Sequence, residues 1–263
     1  MSDTLSVTRD GTIARVTLRR PQVRNAFNAA LIDALHLAFS ELAVEPPDTL
    51  RAVVLAGEGT TFSAGADVEW QRAAISLSVE DNESDAARLQ DMLLAIDACP
   101  VPVIARVHGA SLGGAMGLCA VADIVLATAD TLFGFTETKL GIMPAVISPF
   151  VLARIGEGHA RALFPPGERF SAGRALQIGL VHEVLPDERS LDLRVAAILA
   201  ELLAAGPSAA RGAKAVIRDQ RGLTPAEARA LAVQRAARQR VSAEGQEGLT
   251  AFLEKRPPSW PTS

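Results

Sequence analysis

The chain has 263 residues, 49% hydrophobic and 21% charged, with a formal net charge of −4. That suits an ordinary globular protein with room for a sizeable core, and it excludes one drawn as a whole to nucleic acid or anionic membrane. The two cysteines, Cys99 and Cys119, lack metal-site or disulfide spacing, so they read as buried thiols of a reducing compartment; no metal site is expected.

The N-terminal stretch has no apolar core of a leader, and no apolar run reaches membrane-spanning length, so a cytoplasmic protein is expected. Leu5–Thr8 and Ile13–Arg19 flank Asp10-Gly11, a hairpin signal, and Arg20-Pro21 stops the second strand. Asn28 is placed as an N-cap, and Leu31, Leu35, Ala38, Phe39 and Leu42 follow at helical spacing. His36 lies beside that stripe and reads as a packing histidine. Pro46-Pro47 ends the helix, and residues 50–56 form an apolar strand.

Residues 57–67, GEGTTFSAGAD, form a glycine-rich break at a strand end, followed by a helix carrying Trp70. The acidic run at 78–91 reads as a solvated, mobile entry to a helix with Leu89, Leu93, Leu94 and Ile96 on its apolar side. Pro100 and Pro102 precede the strand VIARV, and the second glycine-rich break, GASLGGAMG, follows at 109–117. Short helices are expected at 147–155, 158–163 and 171–178, the last capped by Ser171, and His182 reads as structural. The tail is helical: residues 191–203, 208–220 and a run opened by Thr224-Pro225-Ala226-Glu227, a strong helix-start signal. Lys and Arg outnumber Asp and Glu over 189–240, but the aromatics needed to stack bases are missing there, which argues against nucleic acid as a partner. Alternating strands and helices predict an α/β protein, with a core over 1–195 and a helical region over 196–263.

Three kinds of chemistry could use the glycine-rich breaks. GASLGGAMG is not GxGxxG, and no acidic residue follows where a ribose ligand belongs. Gly109-Ala110-Ser111-Leu112-Gly113 matches G-x-S-x-G, with His159 or His182 as base and Asp123 or Asp130 as orienter, but no oxyanion motif lies upstream. In the third reading the two breaks act together. Gly65-Ala66-Asp67 and Gly113-Gly114-Ala115 each end a strand and precede a helix, so one N–H from each could converge on a single carbonyl oxygen.

Five stretches considered together resemble the enoyl-CoA hydratase/isomerase (crotonase) superfamily: RNAFN at 24–28, FSAGAD at 62–67, GASLGGAMGL, FGFTETKLGIMP at 133–144 and AFLEKRPP at 251–258. The resemblance implies a spiral of ββα turns with a helical C-terminal trimerisation region, assembled as a homotrimer or dimer of trimers. It implies an acyl-CoA thioester as substrate and no metal or redox cofactor. Carried over by position, Ala66 and Gly114 would supply the oxyanion N–H groups, with Gly113 as a substrate-binding residue beside them. Ala64, Ala66 and Val68 would line the coenzyme A path, while Arg24 and Lys255 would approach its phosphates, with Phe252 beside Lys255 and reaching a neighbouring subunit. Hydratases of the family use two glutamates. The second falls on Glu137, but the first falls on Gly117. Within the family the sequence is most similar to bacterial methylglutaconyl-CoA hydratases and to isohexenylglutaconyl-CoA hydratases. This implies a hydro-lyase acting on 3-methylglutaconyl-CoA with Glu137 as sole acid/base. A Δ3,Δ2-enoyl-CoA isomerase is the alternative, since it too needs one base, and a non-catalytic RNA-binding member is a third reading. Such substrates carry a distal carboxylate, for which Lys139 and Ser148 are candidates. Segments 68–88 and 141–149 are expected to set substrate choice.

Overall fold

The computed structural model describes residues 3–260. The N-terminal hairpin is formed by β1 (Leu5–Asp10) and β2 (Ile13–Leu18), turning at Gly11 with φ 55°. Strands β3 (Ala52–Gly57), β4 (Val103–Val107), β6 (Ile124–Thr128) and β9 (Glu183–Leu185) extend it into a six-stranded sheet of order β1-β2-β3-β4-β6-β9. Only the β1–β2 pair is antiparallel. A second, three-stranded sheet runs β5 (Ala110–Leu112), β7 (Leu132–Gly134), β8 (Arg169–Ser171). Single parallel bridges extend this inner sheet further, Ser63 to Ser111 and Phe27 to Ala66. Successive turns of the chain thus lay one segment in the large sheet and the next in the inner one. This is the mixed α/β architecture that the alternation of elements predicts.

Period-two alternation divides the large sheet between two cores. Val53, Leu55, Val103, Ala105 and Val125 face the main core, where they meet α1 (Ala29–Ala43) and α3 (Val79–Asp97). Ala52, Val54, Ile104 and Leu126 face α7 (Glu188–Ala204) through Leu191, Val195 and Leu199. The α1 stripe is buried as its spacing predicts, and the Asn28 side chain accepts the Leu31 N–H at 3.0 Å. His36 differs from expectation: it is exposed, one step round the helix from the stripe. The acidic run differs too. Ser78 caps α3 by accepting the Asp81 N–H, and Glu80 and Asp81 lie in the first turn, where the helix dipole favours negative charge, so the run is helical.

Between the sheets α4 (Ala115–Val121) is buried at every residue. The region after it holds α5 (Ser148–Leu163), bent at Gly156, and α6 (Ala172–Gln177), capped by Ser171. The bend falls where the sequence separates two short helices. Helix α7 runs unbroken across residue 195, followed by α8 (Pro207–Asp219), α9 (Pro225–Val241) and α10 (Ala243–Glu254). The box at Thr224 and Glu227 is formed in both directions. Several cations of this tail are tied to the core: Lys214 to Asp123 at 2.6 Å, Arg221 to Asp97 at 2.8 Å, and Arg211 to the carbonyls of Glu45, Pro46 and Leu50. Among the described residues no single helix is long and apolar enough to cross a membrane.

Candidate active site

The turn after β3 is held from beneath by Asn25. Its Nδ2 donates to Glu58 O at 2.8 Å and Thr61 O at 2.7 Å, and its own carbonyl accepts from Ser63 Oγ at 2.8 Å. At the end of the turn Asp67 caps α2 (Val68–Ala74) through the Glu69 N–H and pairs with Arg20 at 2.8 Å. Burial opposes ionisation of Asp67, but the Glu69 N–H and the Arg20 guanidinium outweigh it and hold the carboxyl below its ordinary range.

Ala66 occupies the central position of this turn. Phe27 donates to Gly65 O at 2.6 Å and accepts from Asp67 N at 2.8 Å. This pairing uses the residues on either side of Ala66, and alternation turns the Ala66 N–H to the opposite edge, toward the Leu112–Gly114 segment. The approach there is close: a β-carbon on Gly65 would lie 2.5 Å from Leu112 O, and Gly65 has φ 87°. Gly113, also in the left-handed region, donates to Gly134 O at 2.8 Å, and Gly114 opens α4 with its N–H in the first turn. Among the described residues neither the Ala66 N–H nor the Gly114 N–H has an acceptor. Two open donors at facing strand ends make a geometry suited to an oxyanion.

Glu137 reaches the same place from a 3-10 turn, Thr136–Leu140, closed by left-handed Gly141. A β-carbon on Gly113 would lie 3.7 Å from both Glu137 Oε1 and Thr136 Oγ1. Glu137 Oε2 is buried and has no hydrogen-bond partner, and burial pushes the carboxyl above its usual range. Residue 117 adds no second carboxylate. A β-carbon on Gly117 would lie 2.8 Å from Ile147 Cγ2 and 3.1 Å from Leu93 Cδ1, so the space beside it is filled by hydrocarbon.

The remaining sequence candidates divide. Ala64 N donates to Arg24 O at 2.9 Å, which sets Arg24 and Ala64 beside the turn that carries Ala66; Val68 follows, exposed, at the start of α2. The Arg24 side chain is exposed and has no ion-pair partner among the described residues. Phe252 (79% exposed) and Lys255 lie at the C-terminal end of α10, which packs on α8 and α9. Lys139 borders a cleft of about 700 Å³ with Thr136, Glu168 and Arg169, whereas the Ser148 hydroxyl donates to Ala145 O. Ser111 is fully buried with its hydroxyl 3.4 Å from Cys119 Sγ, a thiol that burial pushes up to about 11. His182 uses both ring nitrogens, toward Val125 N and Arg154, and Asp123 serves Val103 N and Lys214, so neither attends Ser111. Among the described residues no group of three or more His, Cys, Asp or Glu is arranged for a metal ion.

Reading the sequence missed Asn25, the Arg20–Asp67 pair, Thr136 and Ile147. Asn25 stood within the RNAFN stretch with no role given to it; the contact of Ile147 with Gly117, thirty positions away, had no signal.

Comparison with known proteins gives the family of the chain. The family model described as Enoyl-CoA hydratase/isomerase matches residues 8–263. AtuE of Pseudomonas aeruginosa superposes with a TM-score of 0.94 at 35% identity, covering 98% of this chain and 99% of that one. An enoyl-CoA hydratase from Shewanella pealeana gives 0.92 at 35% identity, covering 98% and 96%. The 2,3-dehydroadipyl-CoA hydratase of Escherichia coli is 33% identical over 260 residues, 97% of this chain and 98% of the relative. With two open N–H donors and a buried carboxylate on a fold shared over nearly its whole length, the chain is an enzyme of the enoyl-CoA hydratase/isomerase family.

Proposed function

We propose that the protein is a hydro-lyase that interconverts 3-methylglutaconyl-CoA and 3-hydroxy-3-methylglutaryl-CoA, with Glu137 as the only acid/base. The observation that carries this reading is the buried Glu137 carboxylate, one oxygen unpartnered, beside the Gly113-Gly114 turn. The thioester carbonyl oxygen accepts from the Ala66 and Gly114 N–H groups. Ionised Glu137 takes a proton from water as the water oxygen bonds to C3 and the π electrons move onto the carbonyl oxygen. The enolate collapses by taking that same proton at C2, which leaves Glu137 ionised again. Both transfers occur on one face, as a single carboxylate requires, and no other cofactor takes part. A carboxyl whose pKa is raised suits both roles, since burial makes it a stronger base toward water and it still gives the proton back to C2.

The distal carboxylate of this substrate calls for a cation. Lys139 and Arg169 border the cleft that adjoins the site through Thr136, and neither has an ion-pair partner among the described residues. The E. coli relative, named for an unsaturated adipyl thioester, also has a substrate with a carboxylate at its far end. Exposure of Phe252, Leu253 and Lys255 is in keeping with a homotrimer in which α10 reaches a neighbour's coenzyme A site. The test is a dehydration assay on 3-hydroxy-3-methylglutaryl-CoA beside crotonyl-CoA hydration and 3-enoyl-CoA isomerisation. Dominant turnover of the first supports the reading; preference for the 3-enoyl substrate replaces it with a Δ3,Δ2-isomerase.

A further inference from the structure

We propose that the Thr136 hydroxyl positions the water that Glu137 activates: hydroxyl and carboxylate together hold that water at two points, where residue 117 offers no second carboxylate. The proposal rests on the hydratase reading and adds to it a residue to which that reading gives no role.

The orientation of Thr136 follows from two glycines beside it. A β-carbon on Gly134 would lie 3.2 Å from Thr136 Cγ2, with Glu168 O and the Arg169 α-carbon next to it, so the methyl group turns to the Glu168–Arg169 side. The hydroxyl turns to the Gly113–Gly114 segment. Beyond its own chain neighbours, the atoms nearest a β-carbon built on Gly113 are Glu137 Oε1 and Thr136 Oγ1, each at 3.7 Å, and Glu137 Cδ at 3.8 Å. Side-chain oxygens of two consecutive residues therefore flank one point beside the Gly114 donor. Among the described residues the Thr136 hydroxyl has no hydrogen-bond partner, whereas that of Thr138 donates to Phe164 O. Thr136 is half-buried and borders the cleft of about 700 Å³, so water reaches it.

A water bound by one carboxylate alone turns freely about that hydrogen bond, and a water held in a protein typically makes about three. The space beside Gly117 supplies none, since Ile147 Cγ2 and the Leu93 methyls fill it. Thr136 Oγ1 is the second acceptor. The water donates one proton to Glu137 and the other to Thr136 Oγ1, which leaves an oxygen lone pair to face C3. As that oxygen bonds to C3, its bond to the first proton breaks and the proton passes to Glu137. The second proton stays on the product hydroxyl. Thr136 neither gains nor loses a proton, so its part is placement alone.

The test measures two reactions in wild type, Thr136→Val and Thr136→Ser. One is hydration of 3-methylglutaconyl-CoA. The other is exchange of the C2 protons of 3-methylglutaryl-CoA in deuterium oxide, which uses Glu137 and the oxyanion donors but adds no water. Thr136→Val keeps the branched shape and loses the hydroxyl, and should lower kcat for hydration about tenfold, the scale of one hydrogen bond, with C2 exchange unchanged. Thr136→Ser, which keeps the hydroxyl, should recover most of that loss. Wild-type hydration by Thr136→Val, an equal fall in its C2 exchange, or an equal fall of hydration in Thr136→Ser would each overturn the proposal while leaving the hydratase reading in place. No hydration by wild type, with or without C2 exchange, removes the hydratase reading and the proposal with it.

Discussion

Arg20 and Asp67 form a 2.8 Å ion pair, both largely shielded from water, at the end of the turn that presents Ala66. Arg20 also donates to Ala26 O at 2.5 Å, so one guanidinium joins the segment before α1 to the start of α2. Arg20→Ala leaves the Asp67 carboxylate without its cation, and loss of one partner of a shielded pair costs about 3 kcal/mol. Urea unfolding should show that loss in the midpoint with an unchanged slope. Asp67→Asn, which keeps a capping side chain, should be milder.

Glu137→Gln should lower kcat by about 10²–10⁴ in the proposed reaction, the usual cost of removing a general acid/base. Steady-state dehydration of 3-hydroxy-3-methylglutaryl-CoA measures it, and wild-type-like turnover would remove Glu137 from the mechanism.

The same residue ties activity to pH. In the proposed reaction ionised Glu137 activates water, and burial raises its pKa, so the hydration rate should climb with pH along a limb lying above the ordinary glutamate value. Stability should move the other way. A carboxyl raised in the folded state binds its proton more tightly folded than unfolded, so its contribution is full below the unfolded pKa and is lost as pH rises through the folded one. Glu137→Gln should therefore melt no lower than wild type at pH 7. Its advantage should shrink as the pH drops, as melting curves across pH 4 to 8 would show.

Gly65→Ala sets a β-carbon 2.5 Å from Leu112 O in a left-handed conformation. Left-handed strain costs roughly 1–3 kcal/mol. Displacing the neighbouring Ala66 N–H should also reduce kcat by about 10²–10³, the effect of losing one oxyanion donor. Thermal melts and kinetics together separate the two effects.

Ser111→Ala should retain turnover within about threefold, because its hydroxyl faces Cys119 in the core and has no base beside it. A large loss on thioester substrates would restore Ser111 to the chemistry.

Much of this arrangement was legible in the sequence because local chemistry fixes it. Asn28, Ser171 and Thr224 cap helices where their side chains lie next to the first N–H groups, and the stripe from Leu31 to Leu42 is buried as its spacing requires. The paired glycine breaks and the carboxylate of Glu137 were legible as residue types, and resemblance gave them a common purpose. The sequence misled at His36, where one step of 100° separates a packed position from an exposed one. At 78–91 charge rightly indicated a solvated run but not that the run is itself the start of the helix, which the Ser78 cap fixes. Ile147 over Gly117 was invisible, since a contact between residues thirty apart follows from the path of the chain and not from either residue.

The bridge from Ser63 to Ser111 has a consequence for how such a site can change. Ala66 and Gly114 each stand three residues beyond that bridge, on neighbouring segments, and neighbouring segments in a sheet lie about 4.8 Å apart. In the proposed reaction the two N–H donors are thus brought together by backbone pairing at Ser63 and Ser111 and not by the side chains around them. Substitution can remove a carboxylate or relocate a cation while the proposed berth of the carbonyl oxygen stays the same. A lineage on this scaffold can exchange one thioester for another by altering what lies beyond C2, with the enolate chemistry carried along unaltered.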